Sequence, residues 1–98
     1  MTEEQFGPAL PIVRYETVDE AIELANGLDV GLGASVWSSD RDAARKIAAR
    51  IQAGTVWINS HGGVHPMVPF GGIKMSGYGL EFGVDGLKSV SAPQVING

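Results

Sequence analysis

Apolar residues recur at two different spacings in the first sixty positions. Leu10 to Tyr15 (LPIVRY) is short and β-branched, with prolines at 8 and 11, and reads as a strand with an irregular start. A helix follows. Thr17 with Glu20 forms a capping box, Val18, Ala21, Ile22 and Ala25 share one face, and Asn26-Gly27 offers a left-handed stop. Ala34 to Ser38 (ASVWS) reads as a second strand, and Ser39 with Asp42 caps a second helix. In that helix Ala44, Ile47, Ala48 and Ile51 face a sheet, while Arg41, Arg45, Lys46 and Arg50 take other positions. Thr55 to Asn59 (TVWIN) is a third strand, apolar enough to be buried on both faces. Strand, helix, strand, helix, strand predicts an α/β fold with a parallel sheet and right-handed crossovers.

Beyond Asn59 the periodicity lapses. Eight of the fourteen glycines fall between Gly62 and Gly86, and Ser60 to Gly79 reads as a long irregular loop. Tyr78 to Leu87 can hold a short helix, and Lys88 to Ile96 an extended segment that finds no partner within the chain.

Ninety-eight residues suit one domain at most, with a core but little stability to spare. There is no cysteine, which removes thiol nucleophiles, cysteine zinc sites and iron–sulfur clusters from this chain, and His61 and His65 make a poor metal set. The net charge of −4 is unevenly spread: residues 1–42 carry nine acids and two bases, residues 43–98 two acids and five bases. Five scattered bases make no nucleic-acid stripe. No apolar run is long enough for a membrane span and no basic-then-apolar leader opens the chain, so a cytoplasmic protein is expected.

Three stretches invite a chemical reading. Gly77-Tyr78-Gly79 could suggest a phosphate cradle, but the next glycine stands at 83, no strand directly precedes it and no P-loop pattern occurs, so turn and packing roles fit better. Asn59 to Gly77 places Phe70 beside Gly71 and Gly72, where backbone can pass close to a ligand; the alternative is a loop folded over its own side chains. Glu3 to Pro8 (EEQFGP) sets a carboxylate near an aromatic ring. A carboxylate can accept hydrogen bonds from vicinal ribose hydroxyls and a phenyl face can support a flat heterocycle, whereas the plainer alternative is a solvated terminus.

Together these stretches resemble the C-terminal part of the NAD(P)-dependent aldehyde dehydrogenase superfamily. EEQFGP resembles its E-x-F-G-P box, Ala25-Asn26 with Gly31-Leu32 to Trp37 its A-N…Y-G-L…S-V-W segment, and GTVWIN (54–59) and PFGGIKMSG (69–77) two further signatures, in the same order and spacing. The likeness covers about residues 3–96. One departure is Asp29-Val30, where a tyrosine often precedes the Gly-Leu pair.

The resemblance implies part of the parallel-sheet catalytic domain over residues 1–88 and an oligomerisation strand or tail over 89–98. It implies an oxidoreductase that converts an aldehyde to a carboxylic acid with NAD or NADP, through a cysteine nucleophile and a Rossmann domain that lie upstream of this region in the family. The chain is therefore expected to be a truncated fragment, inactive alone and without bound cofactor. Glu4 matches the carboxylate that holds the nicotinamide ribose, and Phe6 the aromatic beside the nicotinamide. Phe70, Val64 and, more weakly, His61 match positions along the aldehyde tunnel. Asn59 and Lys74 match signature residues expected to hold the loop rather than react. Ser89 to Ile96 matches the strand through which subunits pair, implying a homo-oligomer; an alternative is a free-standing assembly module that self-associates through that strand.

Overall fold

The computed structural model of the protein describes residues 3–98. The first regular element is α1 (Val18–Asn26). Thr17 is extended at φ −128°, and its hydroxyl accepts the Glu20 amide at 3.2 Å. The Glu20 carboxylate accepts the Glu16 amide at 2.8 Å, so the reciprocal arm of the box closes one residue ahead of the cap. Gly27 ends the helix at φ −73°, which corrects the expected left-handed stop: its amide still bonds the Glu23 carbonyl, continuing the right-handed turn.

The central unit is β2 (Gly33–Val36), α2 (Arg41–Ala48) and β3 (Thr55–Ile58), preceded by the short β1 (Val30–Gly31). β2 and β3 pair in parallel, Gly33 opposite Thr55 through Val36 opposite Ile58, with α2 as the crossover. Asp40 caps α2 by accepting the Asp42 and Ala43 amides at 3.0 Å each, in place of the expected Ser39. Ala44 is fully buried, and Ile22 of α1 is the other buried apolar residue. This small core lies where the two helices meet the strand pair.

The expected first strand is absent. Leu10 to Tyr15 has no regular structure and Ile12 is 95% exposed. A β-prone segment becomes a strand only where an edge takes up its backbone groups, and no other strand pairs with this one. The parallel sheet is thus two-stranded, and β3 is half-buried rather than covered on both faces.

The loop after Asn59 holds more structure than its glycines announced. β4 (Phe70–Gly71) pairs antiparallel with β6 (Leu80–Glu81), and β5 (Ile73–Lys74) pairs antiparallel with β1. The expected helix over 78–87 shifts downstream to α3 (Gly83–Ser89), because Leu80 and Glu81 are taken up by β4. Of the extended segment expected over Lys88 to Ile96, Lys88 and Ser89 instead end α3, while residues 91–98 carry no regular structure and Val95 and Ile96 are exposed.

The chain is open for its size. Its accessible surface is 8,011 Å², against about 5,400 Å² for a compact monomer of this mass. The radius of gyration is 16.7 Å, where about 13 Å is usual. Among the described residues no helix is long and apolar enough to cross a membrane.

Candidate functional site

β3 delivers the chain into the loop through Asn59. Its backbone is left-handed at φ 55°, a conformation that asparagine tolerates better than most residues. The side chain reaches across to the end of β2, where Oδ1 accepts the Ser38 amide at 2.8 Å and Nδ2 donates to the Ser38 carbonyl at 2.9 Å. This clamp holds the two parallel strands together where they end and aims residues 60–70 back over the sheet.

Trp57 is the wall on which that loop rests. Its indole N–H donates to the Gly63 carbonyl at 2.7 Å, and its rings lie 5.0 Å from His61 and 6.5 Å from Phe70, both tilted. His61 Nδ1 in turn shares a 2.6 Å hydrogen bond with Ser35 Oγ on β2. Trp57, Val64 and Phe70 line one cleft of about 160 Å³, together with Thr55, His65, Val68 and Pro69. Val64 and Phe70, expected to serve one tunnel, are therefore brought together, whereas His61 packs against Trp57 without lining that cleft.

Glu4 and Phe6 are placed differently from one another. Glu4 lines a second cleft of about 350 Å³ with residues of β1 and β2 and with Ser76. Phe6 is fully exposed, its ring covered by none of the described residues.

Lys74 ties the loop to the first half of the chain. From a left-handed backbone at φ 55°, its ammonium donates to the Asn26 carbonyl at 2.7 Å and the Leu28 carbonyl at 2.9 Å. Ser76 Oγ accepts the Gly31 amide at 2.9 Å beside it. Asn26 then bridges α1 to the end of α2: its amide oxygen accepts the Gln52 N–H and its amide nitrogen donates to the Arg50 carbonyl. The signature residues Asn59 and Lys74 hold backbone in place, as their sequence context suggested.

Several glycines serve close packing. A Cβ on Gly54 would collide with the Gly71 carbonyl, so β3 can begin across β4 only with glycine there. A Cβ on Gly72 would lie 2.6 Å from Ser76 Cβ, whereas one on Gly77 or Gly79 would meet nothing within 4 Å; Gly77, at φ 99°, serves the turn.

Sequence reasoning missed Trp57, Ser35 and His65. Trp57 read only as a buried strand residue, yet its place four residues before His61, at the strand end that feeds the loop, was an available signal. The Ser35 and His65 contacts carry no sequence signature.

Residues 1–96 match the model of the aldehyde dehydrogenase family. The chain belongs to that family. Retinal dehydrogenase 2 of Gallus gallus is 47% identical over 94 residues, which are 96% of this chain and 18% of that protein. Aldehyde dehydrogenase C of Pseudomonas syringae, solved with NAD+ and octanal, superposes with a TM-score of 0.80 at 48% identity over 89% of this chain and 18% of its own. Succinic semialdehyde dehydrogenase of Streptococcus pyogenes, solved with NADP+, gives a TM-score of 0.85 at 43% identity over 90% of this chain and 19% of its own. This α/β aldehyde dehydrogenase segment thus spans about a fifth of the length of the relatives it matches.

Proposed function

We propose that this chain forms the substrate-side wall of an aldehyde-oxidising site, with Phe70, Val64 and His61 along the approach of the aldehyde. The observation that carries this reading is the cleft in which Val64 and Phe70 meet over Trp57, walled mainly by apolar side chains that suit the carbon body of an aldehyde.

The cofactor reading is partial by chemistry. NAD or NADP accepts hydride when bound in the whole enzyme. Glu4, an acceptor-only carboxylate on an open cleft, fits the two ribose hydroxyls of the nicotinamide end, and the bare ring of Phe6 fits a flat neighbour. No phosphate-loop pattern marks its glycine turns, so the chain binds NAD(P) only as one edge of a larger pocket.

With no cysteine among its 98 residues, the chain cannot supply the family's nucleophile. It is inactive alone. The purified chain, mixed with NAD+ or NADP+ and a panel of aldehydes, produces no NAD(P)H absorbance; sustained turnover would overturn the assignment.

Residues 1–88 then form the catalytic-domain part and 89–98 the tail that pairs with a second subunit, with the cytoplasm as the compartment. A second reading, self-association of the chain as an assembly module, is favoured by the tail: Val90, Val95 and Ile96 are exposed, and among the described residues no strand pairs with their backbone. Sedimentation at several concentrations tests the pairing tail common to both. A dimer lost on deleting residues 89–98 supports the pairing tail, and a concentration-independent monomer rejects it.

A further inference from the structure

The cleft over Trp57 holds a single ionisable side chain, His65, among Thr55, Trp57, Val64, Val68 and Phe70. A polar group set into a mainly apolar ligand cleft is the usual means of fixing a ligand's orientation. The backbone restricts what this imidazole can offer. His65 Nδ1 accepts the Met67 amide at 3.1 Å, across a turn in which the His65 carbonyl also accepts the Val68 amide at 2.9 Å. A ring nitrogen that accepts an N–H carries no proton, so the neutral ring holds its proton on Nε2. His65 is thereby committed to donate from Nε2 and cannot accept there.

We propose that His65 is a specificity-determining residue, which donates a hydrogen bond from Nε2 to a second oxygen of the substrate. The preferred substrates are aldehydes with a second oxygen function, a carboxylate or a neutral carbonyl, rather than simple alkyl aldehydes. This rests on the reading of the Val64–Phe70 cleft as the substrate side.

The direct test needs no catalysis. Long-range ¹⁵N–¹H spectra of the 98-residue chain at neutral pH show the His65 ring as the Nε2-protonated tautomer; an Nδ1-protonated ring overturns the proposal. The functional test exchanges this chain for the matching segment of Pseudomonas syringae aldehyde dehydrogenase C and compares hexanal, 5-oxohexanal and 6-oxohexanoate. His65→Ala lowers kcat/KM for the oxygen-bearing aldehydes relative to hexanal by roughly five- to tenfold, the scale of one lost hydrogen bond. His65→Gln, which keeps an N–H donor, restores most of that ratio. A loss confined to 6-oxohexanoate identifies the acceptor as a carboxylate, and a loss on both identifies any carbonyl oxygen. Unchanged ratios in His65→Ala overturn the specificity role while leaving the wall in place, whereas a chimera inactive on all three aldehydes overturns the wall reading and with it this proposal.

Discussion

The Lys74 ammonium donates to the Asn26 carbonyl at 2.7 Å, so a residue in the glycine-rich half closes the C-terminal end of α1. A cation at that end meets the unpaired carbonyls and the negative pole of the helix. Lys74→Met keeps the length and removes the charge. It lowers stability by about 1–2 kcal/mol, read as a shift in the urea midpoint by far-UV circular dichroism. An unchanged midpoint contradicts the role given to this contact.

Asn59 combines a left-handed backbone with a two-way clamp on Ser38, and the two contributions can be separated. Asn59→Gly loses the clamp alone. Asn59→Ala loses the clamp and adds the steric cost of the left-handed conformation, and is less stable than the glycine variant by about 1 kcal/mol. The difference between their urea midpoints is the measurement; equal midpoints would show that the backbone conformation relaxes.

Gly54→Ala places a methyl group against the Gly71 carbonyl. The strands must separate, at a cost of about 1–3 kcal/mol. Amide spectra register this as shifts concentrated at residues 31, 54, 71 and 80 rather than throughout α2. Shifts confined to residues 53–55 would argue against the contact.

The open architecture has its own signature. Unfolding exposes less new surface than in a compact domain, so the urea m-value falls at or below about 1 kcal/mol/M, the low end for small proteins. The same exposed apolar faces bind the dye ANS under native conditions. A steep transition without dye binding would mean that the chain closes on itself in solution.

Much of the site was legible in the residues because its parts are local. The Thr17 box, the parallel pairing of the ASVW and TVWI segments and the holding roles of Asn59 and Lys74 follow from short-range chemistry and from signatures in fixed order. Val64 and Phe70 were named from the sequence and do share a cleft, but their common floor, Trp57, was not. Its role depends on a loop folding back, and periodicity stops where that loop begins. Leu10 to Tyr15 has the composition of a strand, yet no edge among the described residues takes it up. The cap of α2 and the stop of α1 were each misread because several neighbouring residues could serve and only the folded backbone selects one.

The Thr17 cap, the apolar helix faces and the glycine at 54 that lets β3 begin across β4 are written into the order of residues, since each depends on groups only a few positions apart or on the absence of a Cβ. Strand existence is not local, because a strand is completed by another strand's N–H and C=O groups. Only the folded chain decided that β4, β5 and β6 form within the glycine-rich loop while two more β-prone segments stay unpaired. Likewise the contacts of Trp57 with His61 and Gly63, and of His65 with Met67, exist because the Asn59 clamp turns the loop back onto the sheet. Residue order supplied the groups, and the turn at Asn59 decided which of them meet.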